Sequence, residues 1–210
     1  MASQYFPTGT VYGVLLNFSA ERAGLAAQMS LPPYKSPPQA PVLYIKTANT
    51  CSANGACVHV PARVAQVEVG ATVAMVIGPV TRYVLMNDLS IPHSSVFRPP
   101  VKFKCLDGFL GIGSQPVVAD DPASFKLEVR INGSSQQTVD FSNLVRNAQT
   151  LIRDVAEFMT LRDGDVLMLG CDCWPGGGRP LAKVGDVIQI NSPSHLALGV
   201  LTNTLVAENS

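Results

Sequence analysis

Charge is scarce in this chain. Of its 210 residues only 14% are Asp, Glu, Lys or Arg, and 15 basic residues balance 15 acidic ones. A net charge of zero leaves no clustered basic surplus for phosphate backbones, which argues against nucleic acid as a partner. Scarce charge beside 47% hydrophobic residues also excludes intrinsic disorder. Long apolar runs are missing too. The best, Ala71 to Ile77, is interrupted by Thr72 and falls far short of the ~20 residues of a membrane-spanning helix, so no membrane partner is expected. The opening residues MASQYFPTGT have neither the basic end nor the apolar core of a signal peptide, which predicts a cytoplasmic protein.

Cysteine is present but in an odd number, at positions 51, 57, 105, 171 and 173, which argues against a disulfide framework. Cys51, Cys57, Cys171 and Cys173 would make a zinc site in number only. Their C-x5-C and C-x-C spacings are not those of zinc knuckles, so ordinary buried or loop thiols are expected.

What the chain does have is β-type patterning. At this length roughly 70% of the unfolded surface can be buried, so one domain spanning residues 1–210 is the expectation. Val11 to Phe18 reads as a buried strand, Leu31 to Pro41 with five of the sixteen prolines as an extended loop, and Val42 to Lys46 as a strand. Val64 to Gly78 is strand-like throughout. Phe125, Leu127, Val129 and Ile131 alternate with polar residues, and Asn132-Gly133 supplies a hairpin turn. Helical spacing from Leu144 to Met159 predicts one main helix, capped by Asp140 or Ser142. Val166 to Leu169 and Val187 to Ile190 read as short strands. Leu196 to Val200 and Thr204 to Ala207 read as a last hairpin around Thr202-Asn203. The fold class is α+β, mostly β. So few charges leave little to solvate the surface, and part of it is expected to be covered by another subunit.

Six segments, in order, carry a resemblance. They are Val42-Leu43-Tyr44-Ile45-Lys46-Thr47-Ala48-Asn49-Thr50, Val73 to Gly78, Asn87-Asp88-Leu89-Ser90, Lys102 to Phe109, Glu128 to Gly133, and Gly164 to Gly170 with Gly185-Asp186-Val187 behind it. Together the chain resembles the fumarylacetoacetate hydrolase superfamily. Pro33-Tyr34-Lys35-Ser36-Pro37-Pro38 and Phe97-Arg98-Pro99 are similar to the amino-terminal half of the two-part enzymes of 4-hydroxyphenylacetate (homoprotocatechuate) breakdown. Those enzymes decarboxylate 5-oxopent-3-ene-1,2,5-tricarboxylate and isomerise the resulting 2-hydroxyhepta-2,4-diene-1,7-dioate. The resemblance implies a mixed β-sandwich roll. It implies a linear oxo di- or tricarboxylate as substrate, and a homodimer or a hetero-oligomer with a homologous second subunit.

It also implies a divalent metal, Mg²⁺ or Mn²⁺, held by Glu-x-Glu on a strand and the Asp of an Asn-Asp pair. Here the two Glu positions fall on Gly70 and Thr72, and only Asp88 remains, with Glu68 on the same strand. One carboxylate holds Mg²⁺ poorly, because the ion gives up water reluctantly. The family's lid motif, Asn-Tyr-x-x-His, becomes Asn17-Phe18-Ser19-Ala20-Glu21, which makes Glu21 a candidate proton carrier beside the reading of a solvated loop Glu. The link from Gly78 to Tyr83 is shorter than the resemblance implies. Lys104 and Asp107 are the other catalytic candidates, with a plain ion pair as the alternative for the two. Lys46, Arg98 and Lys102 are candidates for holding substrate carboxylates. His59, His93 and His195 fit no motif and are expected to be ordinary surface histidines. Two further readings stay open. The chain is a structural partner of a metal-binding subunit, or it is another hydrolase or decarboxylase of the same fold.

Overall fold

The computed structural model describes residues 3–93, 95–98, 100–119 and 121–208. Pro99 of the Phe97-Arg98-Pro99 segment lies outside them.

The larger sheet has seven strands. They are β1 (Val11–Leu15), β2 (Val42–Lys46), β3 (Cys51–Ser52), β6 (Ala71–Val76), β7 (Arg82–Asp88), β8 (Leu110–Ile112) and β11 (Val166–Met168), in the spatial order β2-β1-β11-β6-β7-β8-β3. The second sheet orders β10 (Ser134–Asp140), β9 (Lys126–Ile131), β13 (Val187–Asn191), β14 (Val200–Ala207) and β4 (Cys57–Val60). A two-stranded ribbon joins β12 (Leu181–Ala182) to β5 (Val67–Glu68). Among the described residues there are three α-helices: α1 (Ser19–Met29), α2 (Val101–Lys104) and α3 (Ala148–Ala156). The chain is mostly β, as its alternation predicts.

The core follows from period two. In β6, Val73 and Met75 face the second sheet and meet Leu127, Val129, Ile188, Ile190, Leu201 and Leu205, while Ala74 between them faces the other side with Val84, Met86 and Val166. The seven-stranded sheet is therefore buried on both faces, and its central strands read as continuous apolar runs.

Several expectations shift. The first strand ends at Leu15, because Leu16 turns into left-handed backbone (φ 60°) and α1 begins three residues later. That helix is Ala-rich with only Leu25 and Met29 as large apolar residues, so propensity supports it where periodicity is silent. Glu21 thus stands on the first turn of a helix, not on a loop. Val64 to Gly78 splits into β5 and β6. The main helix starts at Ala148, where the Asn147 side chain accepts from Thr150 N at 2.9 Å; Asp140 instead caps the short 3₁₀ turn Phe141–Asn143. No hairpin forms at Thr202-Asn203. Val200–Ala207 is one strand running antiparallel to β13 and parallel to β4, with Leu196–Leu198 a 3₁₀ turn before it. Asn203 is buried and accepts from Asn87 Nδ2 at 3.1 Å, so it bridges the sheets from the core and does not sit in a turn.

The Phe125 hairpin does form, with Asn132 (φ 52°) and Gly133 (φ 80°) in the left-handed region that a primed turn requires. The Gly78–Tyr83 link is the tight connection of the β6–β7 hairpin.

Candidate functional site

Asp88 ends β7 and lies fully buried. Lys46, the last residue of β2, places Nζ 2.9 Å from its Oδ1; Lys104, the last residue of α2, places Nζ 2.6 Å from its Oδ2. The Tyr44 hydroxyl donates to the same Oδ2, and Lys104 Nζ stands 5.1 Å from the centre of the Tyr44 ring. Burial by itself would raise the Asp88 pKa. The charges of Lys104 and Lys46, with the hydrogen bonds of Lys104 and Tyr44, outweigh it and hold the carboxyl well below the usual carboxylate range. Burial pushes the Tyr44 hydroxyl well above its ordinary value, and the Asp88 charge adds to this. Burial lowers Lys46 against the pull of Asp88. The Cys171 thiol, 3.9 Å from Asp88 Oδ2, is pushed up to about 12 by burial and then by Asp88.

Lys46 spends its protons inside the protein. Besides its ion pair with Asp88 it donates to the carbonyls of Phe109 (2.8 Å) and Lys104, with that of Leu89 at 3.5 Å. With no side-chain exposure it holds the β2, β7 and α2 ends together, a structural role where the sequence suggested carboxylate binding. Lys104 differs, because it also lines a cleft of about 250 Å³ with Leu15, Glu21, Leu25, His93 and Arg179.

Arg179 is the residue that sequence reasoning missed. Its guanidinium reaches Glu21 Oε1 at 2.9 Å, the carbonyls of Asp172 and Cys171 at 3.0 Å each, and Glu68 Oε2 at 3.8 Å. Burial opposes its charge, but Glu21 and then Cys171 and Glu68 hold its pKa above the ordinary value. Nothing local marks this arginine, which follows the Gly176-Gly177-Gly178 loop. Glu21 is itself fully used, since its Oε2 accepts Leu16 N–H at 2.6 Å and steadies the left-handed residue there. Asn17 ties the neighbouring ends together, donating to the carbonyls of Leu169 (2.8 Å) and Arg146 (3.1 Å) and accepting from Arg146 N (3.0 Å).

The remaining candidates lie elsewhere. Asp107 is exposed and accepts from Asn49 Nδ2 at 2.6 Å; it does not pair with Lys104, which has Asp88. Lys102 is exposed beside Arg63 and Phe103 in a separate depression, and Arg98 is exposed. His93, expected on the surface, is half-buried and lines the cleft.

The residues present do not fit the divalent metal that the resemblance implies. Both Asp88 oxygens are engaged by ammonium groups. Thr72 Oγ1 donates to the Gly170 carbonyl at 2.5 Å and faces away from a ligand's role. A side chain at Gly70 would drive its Cβ into the Asp88 carbonyl. Among the described residues no group of three or more His, Cys, Asp or Glu is placed to hold an ion, the cysteines of the zinc reading included. All five cysteines are free.

Residues 10–206 match the family described as fumarylacetoacetate (FAA) hydrolase C-terminal. Among proteins with names, the 4-hydroxyphenylacetate degradation bifunctional isomerase/decarboxylase of Salmonella dublin is 31% identical over 214 residues, covering 96% of this chain and 48% of that protein. The homoprotocatechuate catabolism bifunctional isomerase/decarboxylase of Escherichia coli is 33% identical over 175 residues, covering 77% and 40%. The chain spans about half the length of the curated relatives it matches. Among solved structures, 2-hydroxyhepta-2,4-diene-1,7-dioate isomerase from Mycobacterium marinum superposes with a TM-score of 0.76 at 21% identity, covering 99% of this chain and 78% of that one. The 5-carboxymethyl-2-hydroxymuconate delta-isomerase from Mycobacterium smegmatis gives 0.75 at 22%, covering 98% and 79%. By a match over nearly its whole length, and with the fold to go with it, the chain belongs to the fumarylacetoacetate hydrolase family.

Proposed function

We propose that this chain is one subunit of a two-part decarboxylase/isomerase acting on 5-oxopent-3-ene-1,2,5-tricarboxylate and 2-hydroxyhepta-2,4-diene-1,7-dioate. The observation that carries the reading is the cleft lined by Arg179 and by Lys104, whose ammonium is fixed on buried Asp88. Such a substrate is a vinylogous β-keto acid. When the carbon–carbon bond to the departing carboxylate breaks, CO₂ leaves and the electron pair moves through the conjugated system onto the keto oxygen. A cation waiting at that oxygen lowers the barrier, because it costs no reorganisation as charge develops. Lys104 has three protons and gives one to Asp88, which aims the others. Arg179 Nε and Nη2 are engaged within the protein, which leaves Nη1, 3.8 Å from Glu68 Oε2, for a substrate carboxylate. Both substrates, the oxo tricarboxylate and the dienol diacid, have an unsaturated carbon chain between carboxylates, and the apolar wall of Leu15 and Leu25 suits that hydrocarbon middle.

A second reading has its own support. Gly70 and Thr72 replace two carboxylates, which favours a chain that chiefly supports a metal-binding homologous subunit. One experiment separates them. The purified full chain is assayed on the tricarboxylate alone, with EDTA, and mixed with a homologous subunit that keeps Glu-x-Glu. EDTA-resistant turnover by the chain alone supports the first reading. Turnover only in the mixture supports the second, and none in any arm sinks both.

A further inference from the structure

We propose that His93, which lines the same cleft as Glu21, is the group that carries the substrate's carbon-bound proton. The assignment rests on the reading above, since it concerns the same cleft and an oxo-acid substrate. His93 follows β7, five residues after Asp88. Its Nδ1 lies 2.9 Å from the Ile91 carbonyl, an acceptor, so Nδ1 carries a proton and donates it; Ser90 Oγ is 3.4 Å away. In the neutral ring that leaves Nε2 with its lone pair free to accept. The ring lies flat on Phe103, centroids 4.6 Å apart and planes 3° from parallel, which fixes its direction. Carbonyl and aromatic together settle both tautomer and orientation, the arrangement a general base needs.

The other titratable groups of the cleft are committed. Around His93 stand Glu21 of α1, Glu68 of β5, Lys104 of α2, and Cys173 and Arg179 of the loop after β11. Glu21 has one oxygen on Leu16 N–H and the other on Arg179. Glu68 faces Arg179, and Lys104 is a cation on Asp88. Burial raises the Cys173 thiol.

The step balances. In the dienol 2-hydroxyhepta-2,4-diene-1,7-dioate, the hydroxyl proton leaves to solvent as the oxygen becomes a carbonyl, with Lys104 beside the enolate. The electron pair moves through the diene to carbon 5, which takes a proton from Nε2 of the imidazolium. The product is the 2-oxo-3-ene diacid and neutral imidazole, which then recovers a proton from solvent. In reverse, Nε2 abstracts the carbon 5 proton.

The test uses the full chain, with the second subunit added if turnover requires it. His93→Gln is compared with wild type for ketonisation of the dienol and for solvent deuterium uptake at carbon 5. Expected are a fall in kcat of about 10²–10³-fold with KM within a few-fold, and loss of the alkaline limb of the ketonisation pH profile, because that step consumes the imidazolium. Rescue of His93→Gly by added imidazole is expected as well. A His93→Gln enzyme whose rate and pH profile stay within threefold of wild type, at unchanged melting temperature, overturns the assignment alone. If His93→Gln fails to fold, imidazole rescue of His93→Gly decides, and its failure in folded protein overturns the assignment. Wild type that processes neither substrate overturns the functional reading and this assignment together.

Discussion

Asp88 governs the site because two ammonium groups and a phenol, all on buried residues, converge on one carboxylate. Breaking such a cluster from one side leaves buried charge without compensation, which costs about 3–5 kcal/mol. Asp88→Asn is expected to lose that much, because the amide leaves Lys46 and Lys104 without a counter-charge; urea denaturation at pH 7 measures it. The pH dependence has a definite sign. The folded-state pKa of Asp88 lies below its ordinary value of 3.8, so its contribution is fully present above that value. It is lost as pH falls below 3.8 toward the folded-state value. Wild-type stability is therefore expected to carry an acid limb below about pH 4 that Asp88→Asn flattens, while the two proteins keep a constant gap from pH 5 to 8. The sequence singled out Asp88, Lys46 and Lys104 through their places in the family anchors, and Glu21 through its place in the lid motif. It could not assign their roles, because whether a lysine binds substrate or a carbonyl depends on which strand ends meet. Arg179 escaped for the same reason, since its partners Glu21 and Glu68 lie more than a hundred positions away.

The elements explain how those residues meet. β1 and β2 pair antiparallel with Gly13 opposite Tyr44, and the Tyr44 ring lies over the face where a Cβ of Gly13 would be. The bare backbone at Gly13 lets the phenol cross β1 and reach Asp88. Gly13→Ala is expected to push the ring aside, through overpacking of about 1–3 kcal/mol, and to weaken the Tyr44–Asp88 hydrogen bond. A lowered melting temperature together with a shift in the near-ultraviolet tyrosine signal checks this; an unchanged spectrum would refute the coupling. Strand alternation and the Asn132-Gly133 turn were legible because both are local. Helix α1 was not, since alanine-rich sequence lacks an apolar stripe. The unbroken β14 was not legible either, because Thr202-Asn203 looks like a turn until Asn87 from the other sheet is seen to bond it.

At the scale of the molecule, the scarcity of charge reappears as balance within the site. Lys46, Lys104 and Arg179 stand against Asp88, Glu21 and Glu68, three cations against three carboxylates. A hard dication gains entry to a protein by collecting oxygen ligands of surplus negative charge, and this cluster has no surplus to give. Binding at Asp88 would require both lysines to leave while remaining buried and charged. Ligand binding to the folded state raises its stability by an amount set by concentration over Kd, and a protein without a site gains nothing. Millimolar Mg²⁺ or Mn²⁺ is therefore expected to leave the melting temperature of this chain unchanged, and EDTA to leave it unchanged as well. The same holds for Gly70→Glu/Thr72→Glu, which restores the family's ligand types in sequence. The Cβ at position 70 would strike the Asp88 carbonyl, and Asp88 would still be held by Lys46 and Lys104. Differential scanning fluorimetry across a metal titration reads all three. A saturable rise in melting temperature with Mg²⁺ in the unaltered chain would show that the ammonium groups yield to the ion, and that the cation cluster is not a replacement for it.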